Sequence, residues 1–267
     1  VGSGVAEILI NHNARINEKI QNKINVKYIL DLRDFNGLSY SDKFTKDFNV
    51  ILNDPEVTVV AEVIGGIKFS YGYVKSLLEA GKSVVTSNKE LVAEKGAELL
   101  AIAHEHNVNF FFEASVGGGI PIIRPLHQCL AANEIDDIAG ILNGTTNFIL
   151  TKMINEGMGF DEALKMAQEL GYAERDPSAD VEGHDTCRKI CILASLAFGK
   201  HVYPKNIHTE GITKITLEDV KYCENFGGAV KLIGWASRRG DDVAVMTCPA
   251  FIGGESQLSS VNDVFNA

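Results

Sequence analysis

The sequence predicts an α/β protein in which a doubly wound parallel sheet is followed by a second unit with an α+β mixed sheet. Up to about residue 131, short apolar runs with strand character alternate with helix-like segments, as in a parallel sheet with crossover helices. Glycines and charged residues gather where these runs end, at the edge where open α/β sheets bind ligands. A further strand-like run at residues 137–142 opens the second unit.

Length, charge and cysteine content limit the class of protein. With 267 residues the chain can form one large or two medium domains, and a net charge of −10 argues against a nucleic-acid partner. The longest apolar runs are far shorter than the roughly 18 to 20 residues that cross a bilayer. Five scattered cysteines without a Cys-x-x-Cys pair, and no leading signal peptide, argue against a disulfide framework or zinc site. We therefore expect a cytoplasmic protein with no membrane partner.

The first part of the chain opens with a helix and then alternates strands and helices. Residues 6–10 read as a helix that is entered through Gly2 and Gly4. Gly81 is placed to close a helix over residues 71–80. Apolar and β-branched runs predict strands at residues 26–30, 57–63, 83–86 and 109–113, and a longer helix at residues 90–107.

The second part is predicted to begin with a strand at residues 137–142. Two threonines and an asparagine in the block Gly144–Asn147 are good capping chemistry for a helix at residues 148–156, so this block has a structural reading as well as a functional one. Gly171 is a normal closing glycine for a helix at residues 161–170. A late strand at residues 242–248 would complete the mixed sheet.

The glycines at the start match only the tail of a phosphate-binding turn. A dinucleotide-binding βαβ unit of the Rossmann type begins with a strand, continues with a glycine-rich turn and enters a helix whose N-terminus faces the pyrophosphate. Here the helix follows Gly2 and Gly4 without a strand before it. Gly-x-Gly alone is a weak signal, because glycines also serve turns and caps. We expect a Rossmann-type sheet that is incomplete at its N-terminus.

The charged segment at residues 171–189 has the composition of a site. It contains two glycines, a proline, five acidic and three basic residues, and it leads into an apolar helical run at residues 190–198. If a helix begins near Val181, Asp185 and Lys189 share one face, and Asp180 lies near the N-terminal end, where a carboxylate is favoured. The alternative is an ordinary surface ion pair, which contributes only a few tenths of a kcal/mol.

The same segment resembles the conserved pattern of homoserine dehydrogenases. In that family an alanine and a glycine four residues apart precede a Pro-x-x-Asp, a Gly-x-Asp and a lysine. The matching residues here are Ala167, Gly171, Asp176, Pro177, Asp180, Gly183, Asp185 and Lys189. The resemblance extends, in the family's order, to Thr86–Lys89, to residues 113–121 and to Gly144–Asn147.

The resemblance implies reversible, NAD(P)-dependent interconversion of L-aspartate 4-semialdehyde and L-homoserine, in the biosynthesis of threonine, methionine and isoleucine from aspartate. In this reading the cofactor supplies the hydride and Lys189 exchanges the proton with the alcohol oxygen. Asp180 would orient Lys189 or Lys89, and Lys89 would lie between cofactor and substrate. The implied substrate-binding residues are Glu174 and Asp185, which suit the α-ammonium group, together with Gly144 and Thr145.

The cofactor residues implied by the resemblance follow strands of the first part. They are Gly2, Arg33, Gly65, Gly66, Lys89 and Gly171. After the second strand of such a sheet, an acidic residue usually binds the ribose 2′-hydroxyl and an arginine accommodates a 2′-phosphate. Asp31 and Arg33 therefore point to different cofactors, and either could be a solvated loop charge. Arg33 favours NADP, and NAD stays open.

A cation site is implied at the loop that follows the last strand of the first part. The family holds a sodium or potassium ion with a glutamate and alternating carbonyls, which correspond to Glu113, Val116, Gly118 and Ile120. Oxygen ligands of this kind suit a hard cation. A tight turn before a helix starting at Pro121 would explain the glycines and the proline equally well.

The expected organisation is a cofactor-binding domain at residues 1–131 and a substrate-binding, catalytic and dimerisation domain at residues 132–267, with both ends truncated relative to the family. A homodimer through the second domain's sheet is carried over from the family. Two other hypotheses stay open: a dehydrogenase for a different small aldehyde or alcohol, and a non-catalytic partner. Without a first strand we expect the isolated chain to bind cofactor poorly.

Overall fold

The computed structural model describes residues 1–267. The chain packs as two compact units, one formed by Val1–Leu91 and Lys95–Phe112, the other by Val92–Glu94 and Glu113–Ala267. None of the helices is both long and apolar enough to cross a membrane. The predicted division at residue 131 concerns which residues serve cofactor and substrate, and it stays a prediction.

The first unit contains only parallel strand pairs, which confirms the predicted α/β character. Its helices are α1 (Gly2–Asn11), α2 (Asn13–Ile20), α3 (Phe48–Asn53), α4 (Ser70–Glu79) and α5 (Lys89–Glu105). Its strands are β1 (Ile29–Leu30), β2 (Phe44–Thr45), β3 (Val59–Glu62), β4 (Ser83–Thr86) and β5 (Phe110–Phe111). They form a β1-β2 pair and a three-stranded sheet in the order β3-β4-β5.

Several strands of this unit are shorter than the sequence predicts, and β2 was not predicted. β1 covers only the last two residues of the expected strand at 26–30, because only these pair with β2. Before them, Lys27 and Tyr28 bind the Asp54 carboxylate through their side chains. In β4, Val84 and Thr86 are buried, but Val85 is 41% exposed, so the short strand is buried on one side only. Successive side chains of a strand point to opposite faces, which accounts for this alternation of buried and exposed residues.

The second unit is built around a mixed sheet, as predicted, and this sheet has four strands. Its helices are α6 (Gly144–Glu156), α7 (Phe160–Glu169), α8 (Ser178–Val181), α9 (His184–Phe198) and α10 (Leu217–Asn225). Its strands are β6 (Asp137–Gly140), β7 (His208–Thr209), β8 (Gly228–Arg239) and β9 (Asp242–Gly253). The order is β6-β8-β9-β7, with β7 parallel to β9 and the other pairs antiparallel.

The core of this unit forms where helices pack on β8. Apolar side chains of α6, including Ile149 and Leu150, are buried in one cluster with Leu232 of β8. α9 approaches β8 so closely at Gly234 that an added Cβ would lie 3.0 Å from side-chain atoms of Ile190 and Leu142. The start of α6 and the body of α9 are therefore held against the same strand.

The start of the helix that carries Lys189 differs from the sequence prediction. α9 begins at His184 and not near Val181, because Gly183 adopts a positive φ of 84° and interrupts the helix. Asp180 consequently lies in the one-turn helix α8, outside the helix that carries Lys189.

A second correction concerns the block Gly144–Asn147. It forms the first turn of α6 and not its cap, since the helix begins at Gly144 and Asn143 is the N-cap. The predicted closing glycine Gly171 does follow α7, with a φ of 78°. The alternative helix at Pro121 is also displaced: a π-helical turn spans Pro125–Cys129.

Candidate active site

Asn143 lies at the centre of a buried polar cluster in the second unit. Its side-chain oxygen accepts the Thr146 N–H at 2.8 Å, which caps α6. Its amide nitrogen donates to Asp180 Oδ1 at 2.7 Å and to Asp185 Oδ2 at 3.0 Å. One amide that is 5% exposed thus fixes a helix start and two carboxylates together.

Lys189 completes this cluster from α9. Its Nζ donates to the Leu142 carbonyl at 2.7 Å and lies 2.9 Å from Asp185 Oδ2. The side chain of Asp185 is 3% exposed and that of Lys189 is 14% exposed. An ordinary surface ion pair would be open to water on both sides, so the surface alternative is wrong. We call Asn143, Asp180, Asp185 and Lys189 the lysine cluster.

The sequence predicted three members of the lysine cluster and missed Asn143. Asp180 was expected to orient a lysine, and the structure places it one amide away from Asp185. The missed residue precedes a glycine at the end of a strand, and asparagine is a preferred N-cap. That cap preference was the available signal, but the two following threonines offered the same chemistry.

The loop at residues 171–174 is tied to the first turn of α6. Thr145 donates its hydroxyl to the Tyr172 carbonyl at 2.7 Å, and the Tyr172 ring packs against Phe148 with centroids 5.1 Å apart. Glu174 follows on this loop with an exposed side chain, and its carbonyl accepts a hydrogen bond from Gln168. The structure therefore connects the predicted substrate residue Thr145 to the loop that carries Gly171 and Glu174.

In the first unit a buried network holds the glycine turn after β3. Gly65 and Gly66 have φ values of 81° and 67°, which favour glycine. The Glu62 carboxylate is 4% exposed and accepts the N–H groups of Ile64 at 2.7 Å and Gly65 at 3.3 Å. It also accepts the Thr86 hydroxyl at 2.6 Å.

The same network continues to the start of α5. Asn88 donates from its side chain to the Gly66 carbonyl at 2.6 Å and to Ser70 Oγ at 3.1 Å, and from its backbone to Thr86 Oγ1 at 2.9 Å. Asn88 is also the N-cap of α5, which fixes Lys89 as the first residue of that helix. We call Glu62, Ser70, Thr86 and Asn88 the Glu62 network. Sequence reasoning missed all four as supports of the turn and of Lys89.

The two residues that point to different cofactors bind each other. Arg33 donates to Asp31 Oδ1 through Nε at 3.0 Å and to Oδ2 through Nη2 at 2.8 Å. This fork lowers the pKa of Asp31 to about 2. A cavity of about 220 Å³ beside the pair is lined by Asp31, Arg33, Asp34, Phe35, Asn36, Ser41, Phe44, Thr45 and Lys46.

Gly2 is the first residue of α1, and its position has ordinary space around it. A Cβ added there would lie 3.4 Å from the Val63 side chain, a normal van der Waals distance. Packing inside this unit therefore does not by itself require glycine at position 2.

The Glu113 carboxylate accepts three backbone N–H groups. Oε1 accepts those of Ile122 and Ile123 at 2.7 and 2.8 Å, and Oε2 accepts that of Arg124 at 2.8 Å. Burial alone would raise the pKa of Glu113, but these donors and the Arg124 charge hold it below its usual value.

The loop after Glu113 contains the residues implied as cation ligands, Val116, Gly118 and Ile120. The Ile120 carbonyl folds over Gly117, where an added Cβ would lie 2.3 Å away. No group of three or more His, Cys, Asp or Glu side chains is arranged to bind a metal. A cation at this loop would therefore be bound largely by backbone carbonyl oxygens. The Glu113 oxygen better able to join them is Oε2, because it accepts only one of the three N–H groups. Such a donor set fits a hard monovalent cation in chemistry.

A parallel sheet with a glycine turn at its strand ends, followed by a second unit with a half-buried lysine among carboxylates, defines a two-unit α/β class whose first unit has the architecture that binds dinucleotides. Comparison with known proteins gives the family within that class. A family model described as "Homoserine dehydrogenase, NAD binding domain" matches residues 1–113, and one described as "Homoserine dehydrogenase" matches residues 121–267. The chain belongs to the homoserine dehydrogenase family.

Relatives and solved structures agree with this assignment. The homoserine dehydrogenase of Bacillus subtilis is 42% identical over 270 residues, covering 100% of this chain and 62% of its own length. That of Synechocystis is 40% identical over 280 residues, covering 100% and 63%. The crystal structure of a homoserine dehydrogenase from Thiobacillus denitrificans matches with a TM-score of 0.92 and 38% identity, covering 100% of this chain and 62% of that one.

A more distant solved structure has the same fold and contains a bound cofactor. It is a hyperthermophilic archaeal homoserine dehydrogenase in complex with NADPH, with a TM-score of 0.74 and 26% identity, and the match covers 96% of this chain and 71% of that one. This chain spans 62% to 63% of the length of the two curated relatives named above.

Proposed function

We propose that this protein interconverts L-homoserine and L-aspartate 4-semialdehyde with NAD(P), in the biosynthesis of threonine, methionine and isoleucine from aspartate. The observation that carries the proposal is the lysine cluster, in which Lys189 is anchored to the Leu142 carbonyl and to Asp185. Family membership supports the choice of substrate.

Lys189 is the proposed proton carrier. Two of its three N–H bonds are used by Leu142 and Asp185, which leaves the third for the oxygen of the alcohol or aldehyde. In oxidation Lys189 accepts the hydroxyl proton, and in reduction it returns a proton to the forming alkoxide. Asp185 holds the lysine in place directly, and Asn143 in turn fixes Asp185 and Asp180 through its amide nitrogen.

The substrate's α-ammonium group is assigned to Glu174 and Asp185. Glu174 is exposed on the loop that Thr145 fastens to α6, so its carboxylate can meet an incoming cation. Gly144 and Thr145, at the start of the same helix, would line the rest of the substrate site. A substrate without an ammonium group would leave the Glu174 carboxylate without its partner.

The nicotinamide cofactor supplies and accepts the hydride when it is bound. The residues proposed to hold it are Gly2, Arg33, Gly65, Gly66, Lys89 and Gly171. The fork of Arg33 can bind a phosphate in the geometry in which it now binds the Asp31 carboxylate, which favours NADP over NAD. The NADPH complex of the archaeal relative agrees with that preference.

A monovalent cation, sodium or potassium, is proposed at the loop of residues 113–120. Its ligands would be the Glu113 carboxylate and the carbonyls of Val116, Gly118 and Ile120. Its contribution would be to fix this loop by neutralising the Glu113 charge, and no step of the reaction passes through it.

Assembly and location are further parts of the proposal. We assign residues 1–131 to cofactor binding and residues 132–267 to substrate binding, catalysis and a homodimer contact through the mixed sheet. All five cysteines are free thiols, which suits the reducing cytoplasm.

The test is a substrate comparison followed at the nicotinamide absorbance, with the protein expressed from its complete gene. We expect oxidation of L-homoserine, and a kcat/KM for 1,4-butanediol, which lacks the amino-acid group, lower by about two orders of magnitude or more. Glu174→Gln should raise the KM for L-homoserine and leave the KM for NADP unchanged. Equal activity on both alcohols would favour the second hypothesis, a dehydrogenase for another small alcohol.

A further inference from the structure

Lys231 is a fully buried lysine in the middle of β8, and the proposed reaction does not use it. Its relative exposure is 0%, the lowest of any charged residue in the buried part of the chain. Burying an ammonium group is costly unless its donors are satisfied. The buried Lys231 ammonium therefore needs hydrogen-bond acceptors for its three N–H groups.

Those partners are oxygen atoms on three residues. Nζ donates to the Val261 carbonyl at 2.6 Å, to Asn147 Oδ1 at 3.1 Å and to Asn262 Oδ1 at 3.3 Å. Burial lowers the pKa of Lys231 to about 8, and the nearby charge of Asp263 opposes that shift. At neutral pH the group is mostly an ammonium with three donors and three acceptors.

Asn147 extends these contacts into a clamp. Its amide nitrogen donates to the carbonyls of Val261 at 3.1 Å and Phe265 at 3.2 Å. One helical turn further, Thr151 Oγ1 accepts the Asp263 N–H at 3.0 Å. Side chains of β8 and α6 therefore fasten the segment of residues 261–265 from both ends.

The fastened segment lies directly against the turn that carries the lysine cluster. The Val264 carbonyl is so close to Gly144 that an added Cβ would be 2.6 Å away. Two residues beyond the segment, Ala267 exchanges two backbone hydrogen bonds with Ile141, at 2.7 and 3.0 Å. The turn between these contacts contains Leu142 and Asn143, the two residues that hold Lys189 and the carboxylates.

We propose that Lys231 is a positioning residue for the reaction: its buried ammonium fixes Asn147 and the 261–265 segment, and these hold the 141–147 turn in the geometry that places Lys189. This inference rests on the proposed function for its kinetic consequence. Its structural part concerns the turn alone and can be measured without substrate.

The experiment compares Lys231→Met with the wild type, since methionine has similar length and no charge. Amide hydrogen exchange should become about tenfold faster or more at residues 141–147 and 261–267, and stay unchanged in β4. The kcat for L-homoserine should fall about tenfold or more, while the KM for NADP stays within about twofold. Lys165→Met, an exposed lysine of α7, is the matched control and should change neither quantity.

A second variant separates positioning from stability. Lys231→Ala should regain part of its kcat when propylamine is added, because that amine replaces the missing carbons and the ammonium. If Lys231→Met does not fold, Asn262→Ala removes only the longest contact and should still speed exchange at residues 141–147. Unchanged exchange and unchanged kcat in the folded variants would overturn the proposal. A wild type inactive on L-homoserine would count against the proposed function, and the exchange comparison would still decide the role of Lys231.

Discussion

At the scale of single residues, the candidate site depends on one amide that the sequence did not reveal. Lys189, Asp185 and Asp180 could be selected from their spacing and from a family pattern. Asn143 could not, because helix propensity treats it and the neighbouring threonines as equivalent caps. Its second function, as donor to both carboxylates, requires residues 37 and 42 positions away in the chain. Contacts of that separation are set by packing and not by local pattern.

Asn143→Ser tests the two functions of that amide separately. Serine caps a helix about as well as asparagine, but it cannot reach both carboxylates with two donors. We expect a loss of about 1–3 kcal/mol in the free energy of unfolding, because the Asp180 and Asp185 carboxylates each lose the hydrogen bond from Asn143. The kcat should fall about tenfold or more, because Asp185 no longer holds Lys189 in one position. Urea unfolding and steady-state kinetics measure both, and an unchanged kcat would remove Asn143 from the site.

The proposed preference for NADP also depends on a single residue. Arg33→Ala removes the fork that can bind a 2′-phosphate, so we expect the KM for NADP to rise about tenfold or more, with little change for NAD. Lys19→Ala, on α2 of the same unit, is a charge-matched control. An equal rise in the KM for NADP and for NAD would show that Arg33 does not recognise the 2′-phosphate.

At the scale of elements, helices α4 and α5 of the first unit were predicted well, whereas the two-residue strand β2 and the central twelve-residue strand β8 were not predicted. The helices now seen at Ser70–Glu79 and Lys89–Glu105 differ from prediction by one or two residues at each end. β2 was missed, because a two-residue strand depends on its pairing partner and leaves no pattern in the sequence. α9 starts late because Gly183 takes a positive φ, which composition alone does not reveal.

The glycine turn after β3 gives a prediction at this scale. Gly66 has a φ of 67°, but an added Cβ would meet no atom within 4 Å, so Gly66→Ala acts only through backbone strain. We expect a loss of about 1–2 kcal/mol in the free energy of unfolding and a higher KM for NADP. Gly72→Ala, inside α4 with equal space, should instead stabilise by about 0.5–1 kcal/mol. Thermal unfolding of the pair measures the difference, and destabilisation by both would point to crowding as the cause.

At the scale of the whole molecule, the chain divides the proposed reaction between two separately packed units. The first supplies a parallel sheet whose strand ends carry the Glu62 network and Lys89. The second supplies the lysine cluster, which β8, α6 and α9 hold in place. The overall class of fold followed from the alternation of elements and the family from four short motifs, whereas the supporting residues Glu62, Asn88, Asn143 and Lys231 became visible only in three dimensions.

The most direct test of this account is the kcat for NADP-linked oxidation of L-homoserine by Lys189→Met, measured beside the wild type and Lys165→Met. We predict a kcat lower by about two orders of magnitude or more, with thermal unfolding still cooperative and the control fully active. A Lys189→Met enzyme that keeps a kcat within a few-fold of the wild type would contradict the central claim that Lys189 carries the proton.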